Sequence, residues 1–312
     1  MARLALPRTQ YLPGGEGTVI ERATGTPPPS LRWRKRLSQG VARFVVYLII
    51  SVAAGTMLVP FLWMVSTSLK TPGQVFQYPP VWIPNPVKWS NYREVFAVLP
   101  FPFATAIVNS VKITVLSVVG ATWSASMAAF AFARLRFRGS GVLFPIFLGT
   151  MMIPGAVTLI PVFLLMRALH WIDTHNPLIV PAFFGNAYGM FLMRQFFLTL
   201  PRDLDDSAKI DGANPFWIYA MVYMPISKPA VATFAVLTFL GVWNDLIGPA
   251  IYLTPPSKMT MALGLAFLRG GNYTAWELMM AGAVISLLPT LALYIAAQQY
   301  FVQGMVLSGI KG

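Results

Sequence analysis

Four of the ten acidic residues in this 312-residue chain, Asp203, Asp205, Asp206 and Asp211, fall in one polar stretch, Pro201 to Pro229, of an otherwise apolar second half. Three of them follow Pro201 closely, where the positive end of a helix dipole favours negative charge. Carboxylates grouped this way accept hydrogen bonds, so the chemistry they offer is recognition, and the stretch reads as a docking surface presented to water. A second group, Trp243, Asn244 and Asp245, joins an aromatic platform to an amide and a carboxylate, the mixture that satisfies sugar hydroxyls against apolar walls. Asp245 followed by Gly248 and Pro249 equally marks a place where a helix bends and its freed backbone needs a partner. His170 and His175 flank Asp173 and read as loop histidines rather than a metal site.

Bond-breaking chemistry has no constellation here. The chain lacks a glycine-rich loop ending in Gly-Lys-Ser/Thr, a serine in a nucleophile elbow, and any cysteine, which removes thiolate metal sites and disulfides. No catalytic residue, no metal and no cofactor of its own are expected.

The elements that position these groups are membrane spans. Apolar residues make up 56% of the chain, charged residues only 11%, and the mean hydropathy is +0.63, far from a soluble average of about 25% charged. Residues 1–40, rich in Pro, Gly and Arg, cannot bury enough surface to fold alone and read as a disordered basic arm. They contain no signal-peptide pattern, so the first apolar segment is expected to stay in the protein. Six spans follow, at about 41–66, 104–133, 141–165, 178–198, 230–253 and 278–301, each near the 20 or so residues a spanning helix needs. The expected fold is an all-α membrane protein, with one transmembrane domain over 41–312 and the polar loop at 201–229. A proline-studded ordered loop, with a short helix near Asn91 to Leu99, joins the first two spans.

The formal charge of +13 is distributed by topology. With the N-terminus in the cytoplasm, that side carries 16 Lys and Arg against 6 opposite. The bias places both termini and the polar loop in the cytoplasm. Nucleic acid is not an expected partner, because no basic face is interleaved with exposed aromatics.

Inside the loop, Gly212 stands where a left-handed residue ends a helix, and Asn214 before Pro215 caps the next. Phe216, Tyr219 and Tyr223 then recur at helical spacing. The loop therefore reads as helix, glycine turn, helix. From the residues alone it is either an amphipathic linker or a docking element.

The stretch from Asp205 to Ala230 closely resembles the cytoplasmic loop signature of binding-protein-dependent ABC importer permeases. In that signature Glu-Ala-Ala precedes Asp-Gly by two residues. Asp206, Ser207 and Ala208 stand at the triplet, and Asp211, Gly212 and Ala213 match, as do Pro225 and Pro229. Ala129-Phe130-Ala131-Phe132-Ala133-Arg134, Phe191-Leu192-Met193-Arg194-Gln195-Phe196-Phe197, Trp243-Asn244-Asp245 and the terminal Gly309-Ile310-Lys311-Gly312 resemble the second permease subunit of maltose-type sugar importers.

The resemblance covers about residues 41 to 312. It implies a type I ABC importer permease core whose loop is a coupling helix seated on an ATPase, with Asp205, Asp206, Ser207, Ala208, Asp211, Gly212 and Ala213 in that role. Asp206 is one methylene shorter than the usual Glu, and Ser207 replaces an Ala. The implied partners are a homologous second permease, an ATPase dimer that binds the ATP and Mg, an extracytoplasmic sugar-binding protein and membrane lipid.

Ionisable and polar groups inside spans are functional candidates. Lys112 lies about 12 Å into the second span and either snorkels outward or meets substrate. Asn109 either lines a cavity or joins helices. Asn186 and Tyr188, between Gly185 and Gly189, suit either a bend or a pore lining. With Trp243 and Asn244 these form the expected substrate pathway. An ion-coupled secondary transporter is the alternative, resting on Asp245 as an intramembrane acid.

Overall fold

The computed structural model describes residues 29–97, 101–268 and 275–309, and every regular element among them is helical. By compactness the chain divides into two units, Met1–Val59 and Pro60–Gly312. Residues 29–59 of helix α1 (Pro29–Ser68) form the described part of the first unit, and its large apolar side chains from Val41 to Val59 are exposed. It begins well before the expected span at Val41, so residues 29–40 of the expected arm are helical. Residues 1–28 of that arm, and the terminal residues 310–312, lie outside the described residues.

In the second unit α2 (Phe103–Arg134) is followed by α3 (Ser140–Gly149), α4 (Gly155–Ala168), α5 (Ala187–Thr199), α6 (Asp203–Ile210), α7 (Lys228–Trp243) and α8 (Trp276–Gly309). Three stretches are single helices long and apolar enough to cross a bilayer: Gln39–Ser68, Phe103–Arg134 and Trp276–Gln298. Two bent pairs raise the number to five. The expected third span is α3 and α4, bent by 100° at Ile153 and Pro154. The cause is Pro154, which lacks an amide proton and holds its predecessor extended.

The expected fifth span is α7, bent by 81° against Pro215–Ile226 and ending at Trp243 rather than Leu253. The expected fourth span is not one helix. Asn176–Ile179 and a 3-10 turn, Val180–Phe184, precede a break at Gly185, whose φ of +124° suits glycine, and Asn186 then caps α5.

The second unit is organised around α2. At 32 residues it is about 48 Å long, more than a bilayer's hydrocarbon core of about 30 Å, and so long enough for its two ends to reach opposite boundaries. Ala121, Ala125, Ala129 and Ala133 recur every fourth residue and are buried, letting α5 and α7 approach closely. The large partners come from those neighbours: Met190, Met193 and Phe197 of α5 and Phe234 of α7, all nearly inaccessible. Gly189 touches the Phe234 ring so closely that a Cβ could not fit. Ser117 and Ser124 donate to the carbonyls of Leu178 (3.0 Å) and Ala182 (2.9 Å), satisfying backbone that the broken segment leaves without helical partners.

The Phe103 end of α2 holds a second apolar cluster, with Val95, Phe103, Trp243, Met261 and Leu278 among its members. Polar staples fix the loops around it. Asn109 donates its amide to the carbonyls of Ser257 (3.1 Å) and Met259 (3.0 Å), and the Ser110 hydroxyl accepts from the Met261 amide at 2.8 Å. His175 bonds the Lys258 carbonyl through Nε2, and Asp173 accepts from the Thr254 amide.

The proline-rich loop after α1 is likewise ordered. Asn91 donates to the carbonyls of Ser68 and Lys70, and Lys88 pairs with Glu94 at 2.9 Å. The expected short helix is Asn91–Ala97. Lys70 is buried with its Nζ 3.7 Å from the centre of the Trp63 ring, and burial pulls its ammonium below the usual lysine range.

These contacts make two predictions. Gly189→Val forces the Phe234 ring aside and should cost about 1–3 kcal/mol, read as a lower melting temperature in detergent and restored in part by Phe234→Leu. Asn109→Ala leaves two carbonyls without their donor, at about 1–3 kcal/mol, and should speed amide exchange across 257–261.

Candidate functional site

At the other end of α2, Arg134 closes the helix and turns its guanidinium inward. Its side chain is only 4% exposed. Nη2 donates to the carbonyls of Phe197 (2.5 Å), in the last turn of α5, and of its C-cap Leu200 (2.6 Å); the Phe197 carbonyl also accepts from the Leu200 amide at 3.2 Å. Nη1 faces the Asp205 carboxylate of α6 at 3.5 Å, and the guanidinium lies 5.0 Å from the centre of the Tyr223 ring. One side chain thus ties together the ends of three segments, α2, α5 and the polar loop.

Magnitudes separate this contact from its neighbour. Asp206 and Lys209 also pair, at 3.3 Å, but with side chains 71% and 62% exposed, and such a surface pair contributes about 1 kcal/mol or less. Removing one partner of a buried pair costs about 3–5 kcal/mol.

The loop carried by Arg134 is built as its residue types dictate. Asp203, Asp205 and Asp206 occupy the first turn of α6 and Lys209 the last, both favourable to the dipole. The helix ends in a Schellman motif: the Ala213 amide bonds the Ala208 carbonyl at 2.9 Å and the Gly212 amide bonds the Lys209 carbonyl at 3.0 Å. The motif places its C′ residue in the left-handed region, and Gly212 there has φ +81°. Asn214 then accepts from the Trp217 amide at 2.8 Å and opens Pro215–Ile226, which contains a π-helical turn over Ile218–Tyr223. Tyr219 and Tyr223 are buried against Phe130, with the Tyr219 hydroxyl bonded to Ser126 at 2.7 Å, whereas Phe216 is exposed. Of the expected aromatic face, only the two tyrosines point into the core.

α6 therefore has two faces. Leu204, Asp205 and Ala208 turn toward the core, while Asp206, Ser207, Ile210, Asp211 and Gly212 are exposed and Ala213 is intermediate. The structure thus sets Asp205 and Ala208, on the inner face, apart from the exposed Asp206, Ser207, Asp211 and Gly212 among the expected docking residues. Ile210, not anticipated from the sequence, is 87% exposed beside the turn, and Trp217 lies exposed beyond it. The signal for Ile210 was there: an apolar residue ending a helix of otherwise polar surface. Behind Pro215 and Phe216 lies an apolar recess of about 200 Å³, lined also by Met127, Phe130 and Tyr219.

The six expected pathway residues do not converge. Asn109 is spent on the Ser257 and Met259 carbonyls and Asn186 on the Gly189 amide, at 2.7 Å. Trp243 is buried, stacked on Phe239, with Nε1 donating to the Ser286 carbonyl at 3.1 Å. Lys112, Tyr188 and Asn244 are exposed; Asn244 donates to the Leu240 carbonyl of its own helix and keeps its amide oxygen free. Asp245 accepts from the Gly248 amide at 3.1 Å, bonding the bent backbone. The cavity beside it, lined by Ser110, Thr114 and Thr260, holds about 50 Å³, well short of the about 300 Å³ at which ligand pockets begin.

Comparison with known proteins accords with this architecture. Residues 120–307 match the family described as binding-protein-dependent transport system inner membrane component. A probable ABC transporter permease protein of Pyrococcus horikoshii is 30% identical over 268 residues, 85% of this chain and 97% of that protein. The galactooligosaccharides transport system permease protein of Bacillus subtilis is 32% identical over 273 residues, 85% of this chain and 94% of that one. Among solved structures, a chain from the crystal structure of a bacterial ABC transporter involved in the import of the acidic polysaccharide alginate superposes with a TM-score of 0.74 at 27% identity. The alignment covers 85% of this chain and 98% of that one. The match spans the α2 stripe, the Arg134 contact and the two-faced loop together, and the chain belongs to the binding-protein-dependent family of ABC transporter inner-membrane permeases.

Proposed function

We propose that this chain is the transmembrane permease subunit of an ATP-driven importer of a sugar or oligosaccharide. The observation that carries this reading is the outward face of α6 and its turn: Asp206, Ser207, Ile210, Asp211 and Gly212, exposed on a permease of this family. An exposed isoleucine among acceptors, ending in a tight glycine turn, suits the cleft of a partner protein better than open water. The partner in this reading is an ATPase dimer holding ATP and Mg, and the loop is its coupling element. Carbohydrate as cargo rests on relatives: one is named for galactooligosaccharides and a solved neighbour imports a polysaccharide.

In this reading the chain crosses the membrane six times with both termini cytoplasmic, in keeping with the distribution of Lys and Arg. The bent pairs each count as one crossing, and the broken segment from Asn176 to Thr199 as another. A homologous permease covers the apolar surface of this chain and shares the pathway with it, and an extracytoplasmic binding protein delivers the sugar. ATP-driven displacement of the docked loop then reorients the helices around a central cavity. On this side of the pathway Lys112, Tyr188 and Asn244 are the residues with polar groups left to offer. Family membership does not favour the ion-coupled alternative, and Asp245, its one intramembrane acid, is engaged in capping Gly248.

Because the chain has no cysteine, single cysteines report cleanly. Asp206→Cys and Ile210→Cys should crosslink to a cysteine in the cleft of the partner ATPase, and the inward-turned Asp205→Cys should not. Absence of a crosslink from both outward positions would remove the coupling role. Asn244→Ala should slow growth on the transported carbohydrate without lowering the amount of protein in the membrane, and unchanged growth would remove Asn244 from the pathway.

A further inference from the structure

We propose that Arg134 and Asp205 are a positioning pair that joins the coupling helix to the membrane core, so that α6 and α2 move as one body when the ATPase pulls. The inference rests on the coupling reading of α6 and adds how its displacement reaches the membrane. α6 has eight residues, too few to hold its own orientation, and its turn at Gly212 is open, with no atom within 4 Å of the position a Cβ would take. A displacement applied to the exposed face of so short a helix would be absorbed by rotation unless its inner face were fixed.

Ala208 packs that inner face on the apolar core, and the contact that fixes its direction is the one that Asp205 makes. Arg134 is held first by the carbonyls of Phe197 and Leu200 at the end of α5, at 2.5 and 2.6 Å, and stands as the last residue of a 32-residue helix. Its remaining fork arm reaches Asp205, and the face of Tyr223 closes the site from the far side of the loop. Both limbs of the loop, α6 before the glycine turn and Pro215–Ile226 after it, therefore bear on one buried guanidinium. A lysine at 134 would supply the charge but not the fork that serves carbonyls and carboxylate together. Asp206, one residue along, has no part in this joint: it is exposed, and its only described pair is the surface contact with Lys209.

The test uses the full complex in nanodiscs, with nitroxide labels at Asp203→Cys on α6 and Val119→Cys on α2, both exposed. Pulsed-dipolar distances are taken without nucleotide and after trapping with Mg, ATP and vanadate. The joint predicts one narrow distribution, the same in both states, for the otherwise native chain and for Asp205→Glu. Asp205→Asn, which keeps the size and removes the charge, should broaden or split the distribution in the trapped state. Arg134→Lys should do the same, and carries the test if Asp205→Asn fails to assemble. A distribution unchanged by either substitution in both states would overturn the joint. Failure of the Ile210→Cys crosslink in the otherwise native complex would instead overturn the coupling reading on which the joint rests.

Discussion

A buried charge in an apolar chain has to be answered, and the way Arg134 is answered shapes everything near it. Its guanidinium is nearly inaccessible at the end of α2, and it draws in the last carbonyls of α5, a carboxylate of α6 and the ring of Tyr223. The same side chain that terminates a span therefore gathers the polar loop against the core. The stripe of alanines leading to it makes this geometry possible, because only small residues let α5 come near enough for its carbonyls to be reached.

The two ends of α2 solve different problems. At the Phe103 end, side-chain amides and hydroxyls such as Asn109 and Ser110 bond the backbone of loop 257–261, and the result is a set of closely stapled connections. At the Arg134 end the loop is held by one charged point and by the buried tyrosines of its second limb, Tyr219 bonded to Ser126, while α6 leaves its other face uncovered. That contrast, stapled connections at one end and a half-covered helix at the other, is the arrangement expected of an element that transmits motion.

Much of this was legible in the residues. Gly212 and Asn214 foretold their left-handed turn and cap, because those backbone requirements have few solutions, and hydropathy foretold the long helices. Other features depend on partners distant in sequence. Asp205 and Asp206 are indistinguishable as letters, and only the arrival of Arg134 from another helix turns one inward and leaves the other exposed. Asn109, Asn186 and Trp243 were expected in the pathway because polar atoms in spans are costly; each bonds backbone of the same chain, Asn109 at Ser257 and Met259, Asn186 at Gly189 and Trp243 at Ser286. The breaks at Pro154 and Gly185 are written in the sequence, yet whether a proline or glycine bends a span or divides it is decided by the neighbours that satisfy the freed carbonyls, as Ser117 and Ser124 do.

The most direct test is a cryo-electron microscopy map of the complete transporter trapped with nucleotide. The account predicts α6 seated in the ATPase, with Asp206, Ile210 and Gly212 in contact and the Arg134–Asp205 pair still closed beneath it. A map in which the ATPase engages some other segment, leaving the outward face of α6 in solvent, would contradict it.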